Sequence, residues 1–512
     1  MKYFKYLVFI ISGILFFSFL GRIDLWDPDE PRYVEIAREM ISLKQYLIPH
    51  LNSQIYAHKP PLFFWAIAFF FKTFNSYSEF IARLTPAISG LLIVILTYFY
   101  SKKIFNNLRI GVFSAIVIST NVSMVHLSRR ANIDTFFTLF ILISIIFLHF
   151  YIEKRKNFYI YISGIFQGIA TLIKGPLGFI IPFLTFASFL IITNDKENLK
   201  KVPWIKTLIV IFGIISLWII PSWVYGGDEY IKQLIIKHVF KRYAEGVNHP
   251  RSFFYYFYIF PLDFLPWSVF IPYVFKKIFS PHRKIDKKLI WFLCYFFVNF
   301  IFLCFSKEKR GLYLLPLYPA MSVLYGYVFA ENFHGNEKFF KYPYFFITTI
   351  IGLLSLGCEI YYFYKTGKVN PYLTVITAFS FWISFFSLKY IKSIITLYFA
   401  SAGLIFSIYS FIFPLFNPLK SPKIFIKNLV KITKNIDNVL FFRYINPGFN
   451  FYLKKDRLNF SKNEKDLENF KYIVMKYKEF RKGKINLKDF SIIYSRKLGH
   501  RKLILLKKHV GE

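Results

Sequence analysis

The sequence predicts an all-α polytopic membrane protein followed by a small α/β domain, and three observations carry that prediction. Of the 512 residues, 55% are hydrophobic and 22% aromatic, far from a soluble average. Apolar runs of about 20 residues, the length that crosses a bilayer, recur about thirteen times before residue 417. From there to Glu512 the chain turns Lys-rich, and short β-prone runs alternate with polar ones.

The N-terminus, MKYFKYLVFIISGILFFSFLGR, has a basic start and an apolar run like those of a signal peptide. The run is long, no small-x-small site ends it and more spans follow, so it reads as a retained first helix. Further spans centre near Leu91, Ile116, Ile143, Ile165, Phe183, Ile214, Tyr258, Phe297, Pro319, Ile351, Phe379 and Leu404. The stretch LFFWAIAFFFKTF after Pro60 and Pro61 is too short to cross and suits a juxtamembrane helix lying in the interface. In residues 417–512 the runs NVLFFRY, YIVMKY, FSIIYS and KLILLKK read as strands, so the expected division is 1–416 for the membrane domain and 417–512 for the α/β domain.

Sixty-six Lys and Arg against 28 Asp and Glu give a net charge of +38. In a soluble chain that excess would suggest nucleic acid. In a polytopic one it marks cytoplasmic loops, so no nucleic-acid partner is expected. An N-terminus inside places Lys102, Lys103, Lys154, Arg155, Lys276, Lys277, Lys287 and Lys288 in cytoplasmic loops, in keeping with the positive-inside rule. Alternation then puts the loop after the first span outside, along with the α/β domain. Arg129, Arg130, Lys174, Lys237, Lys241, Arg242, Arg251, Lys307, Lys309 and Arg310 also fall outside, where the rule disfavours them. Cations on that side call for an anion, and a lipid-linked phosphate at the outer face is a natural one; ordinary solvated loop charge accounts for part of the excess. Cys294, Cys304 and Cys358 lie in apolar stretches and form neither a zinc pattern nor a disulfide framework.

The densest chemistry is in WDPDEPRYVEIAREMISLKQYLIPHLNSQIYAHKPP, residues 26–61. Asp29 and Glu30 are adjacent acids just outside a span, suited to general-base work on a hydroxyl and equally to capping the helix that RYVEIAREMI predicts. Lys59, delivered by a Pro-Pro turn, suits a phosphate as a point charge, and His58 beside it suits an anion or a divalent metal. Asp134 in RRANIDTFF is costly without a partner, for which Arg129 or Arg130 is the local candidate. Arg242, His249 and Arg251 in KRYAEGVNHPRSFFYY, and Lys309 and Tyr313 in KEKRGLYLLPLYP, are expected on the same face.

These residues lie in motifs that resemble a known family. WDPDEPRYVEIAREM and YAHKPPLFFW, followed by RRANIDTFF, LIKGPLGFIIP, NHPRSFFYYFYIFPLDFLPW and SKEKRGLYLLPLYP, resemble the polyprenyl-phosphate-sugar-dependent glycosyltransferases of GT-C fold. The resemblance is specifically to the lipid A aminoarabinose transferase branch, with the protein O-mannosyltransferases as relatives. The resemblance covers most of the first 330 residues. It implies that Asp29 is the catalytic carboxylate, with Glu30 beside it, and that Lys59, Tyr313 and either Arg242 or Arg251 hold the donor phosphate. Arg130, Asp134, Lys174 and Lys309 are supporting residues. Members often carry Glu before the lysine as a metal ligand paired with a loop histidine; His58 stands there, so a zinc or other divalent site would draw on His58 with His238 or His249. No nucleotide is implied.

The implied function is transfer of a sugar, with inversion, from a polyprenyl (undecaprenyl) phosphate to a lipid A, protein or glycan acceptor at the outer face of the inner membrane. A flippase or transporter of lipid-linked sugars is the alternative. It predicts ionisable groups near mid-membrane, whereas these collect at one face.

Overall fold

The computed structural model describes residues 2–234, 250–281, 284–331, 337–367, 369–390, 394–482, 485, 487 and 489–509. A helix stands at each of the thirteen expected positions, from Phe4–Phe17 to Ile394–Ser407. Among the described residues, six helical stretches are long and apolar enough to cross a membrane, or eight if each of two bent pairs is one span. Others, such as Phe4–Phe17 and Leu177–Ile192, are apolar but shorter. The expected helix after Pro61 runs Leu62–Thr73.

The chain divides into two compact units, and the division is not a single cut after residue 416. The first unit is Met1–Ser18, His58–Phe63 and Leu84–Ile412; the second joins Phe19–Ala57 and Phe64–Arg83 to Phe413–Glu512. The stretch carrying Asp29 thus belongs with the α/β domain rather than with the spans.

Within the first unit, glycines permit the tightest helix contacts. A Cβ at Gly326 would sit 2.8 Å from the Ile110 carbonyl, and one at Gly168 would sit 2.7 Å from Ile214 Cβ, so the Tyr318–Glu331 and Asn157–Lys174 helices approach their neighbours closely. The two bent pairs break beside each other. Leu108–Ser119 and Val122–Ser128 meet at 64°, and Tyr255–Asp263 and Trp267–Ile278 at 113°. A break frees backbone groups that lipid cannot satisfy. Here each break serves the other: Val122 N donates to Leu265 O (2.9 Å), Asn121 Nδ2 to Asp263 O (3.2 Å) and Trp267 Nε1 to Thr120 Oγ1 (3.2 Å).

The second unit contains a hairpin, β1 (His50–Leu51) with β2 (Gln54–Ile55), and a five-stranded sheet. The sheet strands are β3 (Val439–Phe442), β4 (Phe460–Ser461), β5 (Tyr472–Lys476), β6 (Phe490–Leu498) and β7 (Arg501–Lys508), in spatial order β4-β3-β5-β7-β6. All four runs read as strands from sequence are strands. β3 pairs in parallel with β4 and β5, while β7 is antiparallel to β5 and β6. Period-two alternation divides the core: Val439, Phe441, Val474, Leu503 and Leu505 pack on one face, and Leu440, Phe442, Ile473, Met475, Ile504 and Leu506 on the other.

Candidate active site

In the second unit, the Asp29–Ser42 helix begins directly after Trp26-Asp27-Pro28, with Asp29 and Glu30 in its first turn. Acids there complement the positive end of the helix dipole, and Pro31 lacks only an N–H that would have no intrahelical partner. The two acids differ sharply. Asp29 is 7% exposed, and Arg32 NH2 lies 3.3 Å from its Oδ1 while donating also to the Pro28 carbonyl at 3.2 Å. Glu30 is 1% exposed and grips Arg83, also 1% exposed, with Oε1 to Nε at 2.8 Å and Oε2 to NH2 at 3.1 Å. Glu30 Oε2 also accepts the Trp26 N–H at 3.2 Å. Arg83 spends its other donors on the carbonyls of Leu20, Ile23 and Asp24. The Glu30 carboxylate, expected beside Asp29 at the catalytic position, is the counter-charge of a buried guanidinium that ties four points of the loop together.

The rest of the helix extends this network. Arg38 donates to Glu35 (2.9 and 2.7 Å) and reaches Asp456 at 2.9 Å. Glu39 accepts the N–H groups of Asn52 (2.6 Å) and Ser53 (3.0 Å), the two left-handed residues (φ 55 and 58) of the β1–β2 turn. Burial pushes the Glu35 carboxyl well above its ordinary value against the pull of Arg38, and raises Glu39 as well. Asp27 accepts a 2.7 Å hydrogen bond from Asn446, which lies between β3 and the Pro447–Leu453 helix. Burial raises the Asp27 carboxyl, while Asn446, Arg501, Arg32 and His500 pull it back.

In the first unit, Asp134, Lys174 and Tyr313 come together. Asn132 caps the Ile133–Lys154 helix by accepting the Asp134 N–H at 3.0 Å. The Asp134 carboxylate pairs with Lys174, the last residue of the Asn157–Lys174 helix, and both side chains are buried. Lys174 Nζ also lies 4.4 Å over the Tyr313 ring and 5.2 Å over Phe137. The local partner expected for Asp134 is thus replaced by a lysine 40 residues away. Arg129 instead donates to the Leu15 and Ser18 carbonyls and stacks 5.0 Å over Tyr409. Arg130 NH1 is 3.4 Å from His126 Nε2, and His126 Nδ1 is 2.7 Å from the Tyr409 hydroxyl. Lys309 is 3% exposed and donates to the carbonyls of Ser306 and Arg251, so it braces the Arg251–Lys307 backbone pairing. Burial lowers its pKa. Arg251 is exposed, 5.7 Å from the Tyr255 ring. Half-buried Lys59 and exposed His58 precede the Leu62–Thr73 helix in the Pro-Pro turn.

His238, Arg242 and His249 lie outside the described residues, as do Lys237 and Lys241. Among the described residues no three His, Cys, Asp or Glu side chains are grouped to hold a metal, and of the expected ligands only His58 is described. The residues described therefore do not by themselves make up a metal site.

The comparisons with known proteins point one way. The family model described as dolichyl-phosphate-mannose-protein mannosyltransferase matches residues 58–220. An uncharacterised protein of Aquifex aeolicus is 28% identical over 70% of this chain and 69% of its own length. The undecaprenyl phosphate-alpha-4-amino-4-deoxy-L-arabinose arabinosyl transferase of Wigglesworthia glossinidia brevipalpis is also 28% identical, over 93% of this chain and 88% of that protein. The crystal structure of ArnT from Cupriavidus metallidurans bound to undecaprenyl phosphate superposes with a TM-score of 0.77 at 16% identity, covering 99% of this chain and 98% of that one. The oligosaccharyltransferase of Archaeoglobus fulgidus superposes at 0.51 with 14% identity over 93% of this chain and 69% of its own. The chain is a multi-pass membrane protein of GT-C fold. Within that class it resembles the aminoarabinose transferase branch of the polyprenyl-phosphate-sugar glycosyltransferases.

Two residues of structural weight were missed from sequence. Arg83 stands alone in EFIARLTPA at the start of a span, and an arginine at such a boundary is a signal in itself. Asn446 gives no sequence signal, because its contact with Asp27 spans 419 residues.

Proposed function

We propose that this protein moves a sugar from a polyprenyl phosphate donor, undecaprenyl phosphate in a bacterial setting, to an acceptor in or beside the membrane, with inversion at the anomeric carbon. The observation that carries the proposal is the similarity over nearly the whole of both chains to a named undecaprenyl-phosphate-linked arabinosyl transferase. The protein is a glycosyltransferase that uses a lipid-phosphate-linked sugar. The named relatives are transferases, so the flippase reading is not favoured. Lipid A is the acceptor we propose from the family resemblance, and a protein or glycan acceptor is the second reading. Action at the outer face of the inner membrane is likewise our proposal, supported by the cations of the outer loops.

In the proposed reaction the bond between the anomeric carbon and the donor phosphate oxygen breaks as an acceptor oxygen attacks from the opposite face. Polyprenyl phosphate leaves with the bonding electron pair. Lys59, Tyr313 and Arg251 or Arg242 are assigned, from the family resemblance, to stabilise that leaving phosphate. Asp29 is assigned to the acceptor. It takes the proton of a hydroxyl, or, where the acceptor is already a phosphate anion, it orients groups and stabilises positive charge on the sugar ring. The engagement of Glu30 by Arg83 supports Asp29 as the acting carboxylate. Lys174, held by Asp134 beside Tyr313, is assigned a positioning role toward that tyrosine. For a divalent ion the proposed ligands are His58 with His238 or His249, tested by equilibrium dialysis of zinc against the His58→Ala variant.

The direct test is transfer of radiolabel from a panel of polyprenyl-phosphate sugars to membrane extracts. Label moving to lipid or protein only when the protein is supplied supports the reading and names the acceptor. Absence of transfer from every donor, with label crossing vesicle membranes intact, would restore the flippase.

A further inference from the structure

The β-sheet of the second unit carries a charge pattern that its own fold does not answer. Residues 417–512 hold 24 Lys and Arg against 8 Asp and Glu, and the cations are not evenly placed. The parallel strands β4, β3 and β5 share a carboxyl edge, and the chain passes from β3 to one side and then crosses to β5 on the other. Such a reversal leaves the space outside the carboxyl ends of the flanking strands open to a ligand. At that edge Tyr444 follows β3, Lys476 ends β5 and Arg501 begins β7. Lys476 Nζ lies 4.9 Å from the centre of the Tyr444 ring and Arg501 lies 5.3 Å from it, with Arg501 NH1 3.3 Å from the Tyr444 hydroxyl. Tyr444 is buried, and both cations are half-buried. On the opposite sheet face, Lys502 stands directly across the ladder from Lys497 and stacks 4.4 Å over Tyr477.

Like charges directly paired across a ladder, and two cations on one ring, cost stability in the absence of an anion. Among the described residues, the ion pairs of residues 417–512 join Lys423 to Asp24 and Glu79, Asp456 to Arg38, Arg443 to Glu464 and Glu479, Lys455 to Asp437 and Lys482 to Glu479. Among the described residues none engages Lys476, Lys497, Arg501 or Lys502. Asp27 draws Arg501 and His500 electrostatically, but its carboxylate is already held by Asn446. The arrangement offers a planar Arg fork and a Lys point charge set on an aromatic ring, which suits an anion with three oxygens better than a carboxylate with two.

We propose that the carboxyl edge of this sheet, at Tyr444, Lys476 and Arg501, binds the phosphate monoester of an amphiphile's head group beside the loop that carries Asp27 and Asp29. The site rests on the transferase reading, in which the phosphate belongs to the acceptor. A phosphate of the surrounding bilayer shares the chemistry and is separated from it by the test.

The test uses the intact protein in phosphatidylcholine nanodiscs, with no sugar donor, so that binding is read apart from transfer. Retention of radiolabelled lipid A, its dephosphorylated form and phosphatidic acid is measured for the wild type, Arg501→Ala, Lys476→Ala, Arg501→Lys and the control Lys507→Ala, at the far end of β7. Losing one charge-assisted hydrogen bond should weaken lipid A binding by about tenfold in Arg501→Ala and Lys476→Ala. Arg501→Lys should recover part of it, Lys507→Ala should match the wild type, and dephosphorylated lipid A should not distinguish the variants. Selective loss of lipid A makes the acceptor the source, and equal loss of phosphatidic acid makes it the bilayer. Equal retention of every phosphorylated probe by wild type, Arg501→Ala and Lys476→Ala would overturn the site. Arg501→Lys keeps the test open if an alanine variant fails to fold. Transfer failing in the wild type while this pattern holds would sink the transferase reading and leave the phosphate site standing.

Discussion

Two regions of the second unit handle buried charge in opposite ways. Along the Asp29–Ser42 helix each buried charge has a near partner: Glu30 with Arg83, Glu35 with Arg38, and Glu39 with two backbone N–H groups. At the carboxyl edge of the sheet, Lys476 and Arg501 share a tyrosine ring, and no carboxylate pairs with either among the described residues. The first pattern holds a loop in shape, and the second is receptive to something the chain does not supply. Even neighbouring acids are held differently: Glu30 is locked on buried Arg83, while Asp29 meets the more exposed Arg32.

The comparison breaks first at Arg83. If the Glu30–Arg83 pair is structural, Arg83→Ala should lose about 3–5 kcal/mol of stability, because it removes the counter-charge of a buried carboxylate. That loss would appear as a large fall in melting temperature; an unchanged melting temperature would show that the loop is held otherwise. Asp134→Asn removes the counter-charge of buried Lys174 in the first unit, and a loss approaching that size is expected. There the sharper measurement is the cycle with Lys174→Met: the double variant should be more stable than Asp134→Asn alone, and simple additivity would deny the pair. Asn446→Ala should cost about 1–3 kcal/mol by leaving Asp27 without its hydrogen bond, while Asn446→Asp should cost more by setting two carboxyls together.

The smallest effect is in the pH dependence. Glu35 has a folded pKa above its unfolded value, so between the two values the folded state binds the extra proton and stability falls as pH rises. Relative to Glu35→Gln, which cannot titrate, the wild type should gain melting temperature as pH drops from neutrality toward the ordinary carboxylate range. A relative loss on acidification would mean that Arg38 dominates burial at Glu35.

Much of this was legible in the chain because it rests on local pattern. Apolar runs located a helix at each of the thirteen expected positions, and β-prone runs located β3, β5, β6 and β7. The number of crossings was less legible, since helices such as Phe4–Phe17 and Leu177–Ile192 are apolar but short, and two others break. What sequence could not reach was pairing over distance. Asp134 finds Lys174 rather than the neighbouring Arg129 or Arg130, whose guanidinium groups reach the Leu15 and Ser18 carbonyls and His126 instead. Glu30 finds Arg83 across 53 residues. The grouping of the Asp29 loop with the C-terminal domain depends on contacts such as Asn446 to Asp27 and Tyr452 to the Leu25 N–H, which no local pattern encodes.

The most direct test of the central claim is sugar transfer from a polyprenyl phosphate donor by Asp29→Asn, measured beside the wild type with melting temperatures for both. The variant is expected to stay folded, because Asn keeps the size of Asp and the Asp29 pair with Arg32 is partly exposed, and to transfer about 10²–10⁴ times more slowly toward a hydroxyl acceptor. Transfer at the wild-type rate to the same acceptor would contradict the assignment of Asp29 as the acting carboxylate.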